Sequence, residues 1–147
     1  MAFIKYLCLI IVPIVAGMLM SGGVGQFVDP PSVFIVIVPT IGTLLVAYKG
    51  YFISSVTAVW KEKRESVFDD KDLLTAIDFW QTSGVCAVGY ACLGFKIGLI
   101  AMLGSLDDLE SIGPKMAIAL ISVMYGLVIK YLVAEPVTAL LKRKVKS

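Results

Sequence analysis

The sequence predicts an all-α, polytopic membrane protein with four transmembrane helices and both termini in the cytoplasm. Of its 147 residues, 59% are hydrophobic and 16% are charged, whereas a soluble domain carries about 25% charged residues. Long apolar segments alternate with short charged ones, as expected of a chain whose solvent is the bilayer. Lysine and arginine are concentrated in alternate connections. We therefore expect one membrane domain over 1–147, and the net charge of +2 gives no reason to invoke nucleic acid.

The first two spans are predicted at about 3–21 and 31–50. The first apolar run is interrupted by Lys5 alone, and the residues after it form a poor signal-peptidase site, so we expect a retained span and not a cleaved leader. Between the spans, "SGGVGQFVDPP" predicts a tight turn in which Asp-Pro-Pro at 29–31 begins the next helix. Pro39 removes a backbone donor and should kink the second span.

The last two spans are predicted at about 84–104 and 115–141. The segment at about 60–83 mixes both signs of charge with apolar residues, which predicts a short amphipathic helix along the cytoplasmic surface. Trp60 and Trp80 are expected at the level of the lipid headgroups.

The orientation follows from the basic residues of the connections. The 61–72 connection contains four lysine or arginine residues and the chain ends in "KRKVKS", whereas the 21–32 connection has neither residue type. The 104–115 connection carries three acidic residues and one lysine. Both termini and the 61–83 segment are therefore predicted to face the cytoplasm.

Small residues recur at alternating steps of three and four along the third span. At ~100° per residue they form a narrow stripe, which permits close approach of a second helix inside a membrane. A chance accumulation of glycine and alanine, which are common in membrane helices, is the alternative. The predicted helix-packing residues are Gly84, Ala87, Ala91, Gly94, Gly98 and Ala101.

Lys96 is the one charged residue between Asp78 and Asp107. Counting from the ends of their spans, Lys96 and Ser122 each lie ~11–12 Å below the outer side, so we expect them to line one level of a cavity. A lysine near mid-membrane costs ~3 kcal/mol on insertion scales, which favours a position at a cavity or opposite a carboxylate of a partner. The alternative is that its stem snorkels to the outer headgroups.

The fourth span has a face of small and polar residues that includes Ser122, Gly126 and Lys130. We predict that these residues border or gate a passage, together with Lys96 and the adjacent Phe95. Lys130 has a simpler alternative, because it lies near the cytoplasmic end and close to Glu135.

Sequence motifs of enzymes are missing: there is no phosphate-binding loop, GxSxG or HExxH. The chain has three cysteines without CxxC spacing and no histidine, so neither a zinc site nor a disulfide framework is expected. No enzymatic activity, metal or cofactor is predicted.

More than half of the chain resembles the MotA/TolQ/ExbB proton-channel superfamily, and in particular flagellar stator A subunits of the MotA type, although it is unusually short. The shared residues are Gly22-Gly23, Phe27, Asp29, Ser32, Ile35-Val36, Gly94, Gly98-Leu99, Leu106-Asp107-Asp108, Ile112-Gly113-Pro114, Met116-Ala117, Ala119-Leu120, Tyr125-Gly126 and Pro136. The resemblance implies a pentamer in the bacterial inner membrane, with a central pore lined by the last two helices. It also implies a single-span partner of the MotB/ExbD type with a membrane aspartate, and H⁺ or Na⁺ as the coupling ion.

The chain departs from this family pattern at residues that are expected to border the central pore. Phe95 and Val123 stand where the family usually has threonines, so that Ser122 alone keeps a hydroxyl. A ring of Lys96 side chains would repel cations unless each is neutralised or paired. Two main hypotheses follow: a compact subunit of an ion-driven membrane motor, or a non-conducting oligomeric scaffold derived from the family in which Phe95 and Lys96 block the cation path. An anion pathway lined by the lysines is a third.

Overall fold

A computed structural model describes residues 2–60 and 70–145, and the prediction of an all-helical membrane protein is confirmed in it. Within these ranges there are no strands. Three helical stretches are long and apolar enough to cross a membrane, at Pro30–Ala47, Lys71–Leu103 and Leu109–Arg143, and Ile11–Met20 is a shorter apolar helix. The helices are α1 (Ala2–Met20), α2 (Pro30–Ala47), α3 (Phe52–Trp60), α4 (Asp70–Leu103), α5 (Leu109–Val128) and α6 (Glu135–Val145), with a 3₁₀ turn at Val24–Phe27 and a π-helical segment at Ile129–Ala134.

The predicted turn before α2 is present. Gly22 and Gly23 have φ values of 119° and 103°, which glycine adopts without the steric cost that a Cβ atom brings. The Asp29 carboxylate then accepts a hydrogen bond of 2.9 Å from the Ser32 backbone N–H, and proline fills the first helical position. Asp29 is thus the N-cap that begins α2.

The third predicted span is the second half of a much longer helix. α4 has 34 residues, or ~51 Å at ~1.5 Å per residue, and it continues without a break through the region predicted to be a surface helix. The physical reason is that Ala76 and Ile77 pack against Val137 and Leu141 of α6, so this part of α4 is held by another helix. Residues 61–69 of the predicted amphipathic segment lie outside the described residues.

The fourth predicted span is not one regular α-helix, because a π-helical segment separates α5 from α6. The Glu135 N–H bonds to the Lys130 carbonyl five residues earlier. The following residue, Pro136, has no N–H to offer the Leu132 carbonyl, and its ring crowds that carbonyl in a regular α-helix. Widening the turn relieves this crowding.

Contacts among α2, α4 and α5 fix the register of the bundle. α2 runs antiparallel to α4, with the Thr43 and Tyr90 hydroxyls 2.7 Å apart and the Tyr48 and Thr82 hydroxyls 3.0 Å apart. α5 runs antiparallel to α4 and parallel to α2. We call the end of the bundle where α2 begins the turn end, and the end where α2 and α6 finish the tail end.

Candidate functional site

The small residues of α4 face α5. A Cβ atom built on Gly98 would lie 2.6 Å from the Cβ atom of Ala119. One built on Gly94 would lie 2.9 Å from the Ser122 Cβ atom and 3.1 Å from Cγ2 of Ile35. Gly94 therefore marks the point where α2, α4 and α5 meet, and no larger side chain fits there without moving a neighbour.

The stripe continues to the tail end and stops short of the turn end. Ala87 and Ala91 are buried, and a Cβ atom on Gly84 would lie 3.0 Å from Cβ of Ala134 and 3.3 Å from Cγ of Lys130. Ala101, the last residue predicted to pack, is exposed.

Ser122 and Gly126, which the sequence predicts to border a passage, lie in the contact between α4 and α5. Both are buried between α5 and α4, and a Cβ atom on Gly126 would lie 2.8 Å from the Ala87 carbonyl oxygen. The Ser122 hydroxyl donates a 2.8 Å hydrogen bond to the Ala119 carbonyl. The physical reason is that small side chains on both helices allow α4 and α5 to approach closely, so the small residues of α5 pack against the small residues of α4.

A different face of the α4–α5 pair lies away from α2. α2 contacts α4 through Thr82 and Tyr90, on one side of the small-residue stripe. At ~100° per residue, the opposite side of both helices carries half-buried or exposed apolar side chains and one lysine. We call this the α2-free face; it consists of Val88, Phe95 and Leu99 of α4, Val123 and Leu127 of α5, and Lys130. Phe95 and Val123 share one level, because their neighbours Gly94 and Ser122 are in contact.

Lys96 lies close to the level at which α2 begins. It is two residues beyond Gly94, which meets Ile35, so it stands ~4–5 Å below the start of α2 at Pro30. α2 has 18 residues, or ~27 Å, close to the ~30 Å thickness of the hydrocarbon layer. The α4–α5 hairpin projects past α2 at the turn end.

Lys96 and Ser122 therefore share a level but not a face. The Lys96 side chain is exposed and lies about 160–200° around α4 from the stripe that faces Ser122.

Lys130 is half-buried at the start of the π-helical segment. Its aliphatic stem covers Gly84, and its Nζ atom is 5.4 Å from the centre of the Tyr131 ring. The stem thus contributes to the α4 contact while the ammonium group meets the face of an aromatic ring.

A hydrogen-bonded cluster at the turn end joins the first connection to α5. The Tyr125 hydroxyl donates to the Phe27 carbonyl at 2.6 Å and accepts from the Asp29 N–H at 3.2 Å. The Ser32 hydroxyl lies 2.6 Å from the Asp29 carboxylate and 3.2 Å from the Ile118 carbonyl. Sequence reasoning found the Asp29 cap but not the part played by Tyr125, because no local pattern links residues 96 positions apart.

The arrangement consists of close contacts between helices. Within the described ranges no group of three or more acidic, cysteine or histidine side chains is placed to hold a metal ion. What the site provides is an α4–α5 unit with an open apolar face and one lysine at each end of the span, Lys96 toward the turn end and Lys130 toward the tail end.

Comparison with known proteins agrees with this architecture. Residues 60–147 match the sequence model of the MotA/TolQ/ExbB proton channel family. A stretch of 74 residues is 35% identical to Motility protein A of Aquifex aeolicus, covering 50% of this chain and 29% of that protein. A stretch of 75 residues is 31% identical to Chemotaxis protein PomA of Vibrio alginolyticus, covering 51% of this chain and 30% of that protein. The matched part of the chain thus spans less than a third of the length of these relatives.

Proposed function

Because this chain belongs to the MotA/TolQ/ExbB proton channel family, we propose that it is a compact MotA-like subunit of a membrane motor complex driven by an ion-motive force. Five copies form a ring around a central passage in the bacterial inner membrane. A single-span partner of the MotB/ExbD type, with a membrane aspartate, occupies the passage, and H⁺ or Na⁺ is the coupling ion.

In this proposal α1 is the fourth transmembrane helix, and both termini lie in the cytoplasm. α1 has 19 residues, or ~28 Å, which is enough to cross a hydrocarbon layer. The tail end is then cytoplasmic and the turn end is outside, in agreement with the lysines and arginines of the connections.

The observation that carries the proposal is the combination of a tightly packed α4–α5 pair with an apolar α2-free face. At Gly94 and Gly98 the two helices are so close that one cannot slide along the other without a steric clash. Phe95 and Val123 present apolar surface at one level of this face, which suits a wall against which an apolar partner helix packs. We therefore leave Ser122 and Gly126 out of the proposed lining and assign it to Phe95, Val123 and Lys130.

Lys96 has a separate role in this proposal. In the proposed ring it lies at the outer mouth of the passage, beside the seam with the neighbouring copy; its place on α4, turned away from α5 and close to the start of α2, supports this assignment. An ammonium group at that position meets a carboxylate of the partner or regulates entry of cations.

Reconstitution tests the proposal directly. Proteoliposomes containing this chain and the single-span protein that co-purifies with it should take up protons or sodium ions under an applied gradient. Replacing the partner's membrane aspartate with asparagine should abolish the uptake. A mass measurement of the detergent-extracted complex should give five copies of this chain, and any other ring size contradicts that part of the proposal.

One observation favours the non-conducting scaffold as a second candidate. The Ser122 hydroxyl is buried and bonded to the Ala119 carbonyl, so the α2-free face carries no hydroxyl to replace the water of a moving cation. A stable ring that shows no ion flux with the partner present, and none after Lys96→Thr, is the result that this candidate predicts. Chloride flux in the same vesicles would instead support an anion pathway.

A further inference from the structure

Lys96 carries a positive charge at a level of the span where charged side chains are costly. Its side chain is exposed, and its level is ~4–5 Å below Pro30, the first residue of α2. It is turned about 160–200° away from the α4 face that contacts Ser122 of α5. The α5 helix of its own copy therefore supplies no counter-charge.

Asp29 has the carboxylate closest to this level among the described residues. It is the N-cap of α2, one residue before Pro30, so the four-carbon stem of Lys96 spans the difference in level. The acidic residues of the α4–α5 hairpin begin ~13 Å farther toward the turn end, counted from the contact between Gly98 and Ala119. The described acidic residues of α4 and α6 lie toward the tail end.

The Asp29 carboxylate keeps one oxygen for a further contact. Its Oδ2 atom accepts hydrogen bonds from the backbone N–H of Ser32 at 2.9 Å and from the hydroxyl of Ser32 at 2.6 Å. Neither bond uses Oδ1, although an ionised carboxylate accepts through both oxygens. Asp29 also lies beside α5, because its N–H donates to the Tyr125 hydroxyl and Ser32 donates to the Ile118 carbonyl.

The order of helices around the proposed ring brings these two charges toward each other. If every copy contributes α4 and α5 to the wall, the two helices alternate around it. The side of α4 opposite its own α5 then faces α5 of the next copy. Lys96 lies on that side of α4, and Asp29 lies beside α5. Rotation about the ring axis leaves every residue at its own level, so the match in level between Lys96 and Asp29 also holds between copies.

We propose that Lys96 forms an ion pair with Asp29 of the neighbouring copy. The ammonium group donates to Oδ1 across the seam, near the outer edge of the hydrocarbon layer. This inference rests on the proposed ring, and it assigns the counter-charge to a second copy of this chain instead of to the single-span partner. Pairing also removes the barrier that a ring of unpaired ammonium groups sets against cations.

A carbodiimide, which joins an amine directly to a carboxylate, tests this contact in membranes that contain the full chain and its co-purifying single-span protein. The expected product is a covalent dimer of this chain whose digest contains a linkage between Lys96 and Asp29. Lys96→Met should abolish that linkage.

Three outcomes in an intact ring would overturn the ion pair. They are a linkage of Lys96 to the single-span protein, a linkage to Asp29 found only in the monomer band, and no linkage of Lys96 at all. A wild-type chain that is monomeric by mass would remove the proposed ring and this inference with it, so the two failures are distinguishable.

Variants of the two residues measure the contribution of the pair to ring assembly. Asp29→Asn removes the charge but keeps a side chain that caps a helix equally well, and Lys96→Met keeps an unbranched stem. Each single variant should weaken association of the copies about fivefold, at the upper end of what exposed ion pairs contribute. The double variant should be no weaker than either single variant.

Lys49→Met is the control, because Lys49 is an exposed lysine beyond the other end of α2. It should leave the association unchanged. An additive loss of about twenty-fivefold in the double variant would show that the two residues act independently. That result, or a loss in Lys49→Met equal to the loss in Lys96→Met, would overturn the proposed pair.

Discussion

Gly98 and Ala119 hold α4 and α5 in contact at the backbone: a Cβ atom on Gly98 would lie 2.6 Å from Cβ and 2.9 Å from Cα of Ala119. The nearest atoms belong to a rigid methyl group and to the main chain, and neither can rotate away. Close approach of this kind lets dispersion contacts hold helices together where lipid removes the hydrophobic driving force.

Gly98→Ala should therefore destabilise the protein by ~1–3 kcal/mol, the usual cost of inserting a methyl group into a packed interface. Gly89→Ala is the matched control on the same helix, because a Cβ atom on Gly89 meets nothing within 4 Å. That change should be neutral or stabilising by up to ~1 kcal/mol, since alanine is the better helix former. Thermal unfolding in detergent measures both, and a fall in stability of equal size in the two variants contradicts the assigned contact.

Tyr125→Phe removes one hydroxyl from the cluster that joins the first connection to α5. The Phe27 carbonyl and the Asp29 N–H both lose a partner, so the stability should fall by ~1–3 kcal/mol. Hydrogen exchange of the Asp29 amide should accelerate. Tyr131→Phe, at a 54% exposed side chain, should change neither quantity; an unchanged Asp29 exchange rate in Tyr125→Phe would show that the cluster does not fix this connection.

The Thr43–Tyr90 hydrogen bond should appear as an energetic coupling between α2 and α4. The hydroxyls are 2.7 Å apart, and comparable pairs in membrane proteins give coupling energies of ~0.6 kcal/mol on average and up to ~1.7 kcal/mol. A double-mutant cycle of Thr43→Val and Tyr90→Phe, measured by unfolding, gives the value. A cycle of Thr43→Val with Tyr51→Phe, an exposed tyrosine, should give zero, and equal values in the two cycles would refute the bond.

Thr138→Val should stabilise the protein by ~1 kcal/mol. The Thr138 hydroxyl is buried and has no hydrogen-bond partner among the described residues, so its desolvation is uncompensated. Thr40→Val is the control: its equally buried hydroxyl donates a 2.6 Å bond to the Val36 carbonyl, and losing that bond should lower stability. If both variants change stability in the same direction, the two threonines do not differ as the structure indicates.

Phe95→Thr should increase ion flux in vesicles that contain the partner, because it puts a hydroxyl on the proposed lining beside Val123 and removes a bulky ring. Leu93→Thr introduces the same group at a side chain that is 51% exposed on another face of α4, and it should leave the flux unchanged. An equal flux for wild type and Phe95→Thr would place Phe95 outside the ion path.

Local signals predicted a large part of the fold. The Asp29 cap and the twin glycines before it depend only on neighbours a few residues away, and each is present where the sequence placed it. The family was also recognisable from the sequence, because its shared residues lie in the same order along more than half of the chain. By contrast, the continuity of α4 through Ala76 and Ile77 depends on α6, which is about 60 residues distant and leaves no local mark on the sequence.

The sequence by itself determined that this chain is helical, lies in a membrane and carries a stripe of small residues on its third span, because side-chain polarity and the 3.6-residue repeat set these features. The tertiary structure alone decided which face each residue occupies. Packing of small residues against each other turned Ser122 inward to α4, and the contact between Gly94 and Ile35 set the level of Lys96 relative to α2. The register between two helices depends on which of their residues contact each other, and counting residues along one helix does not reveal it.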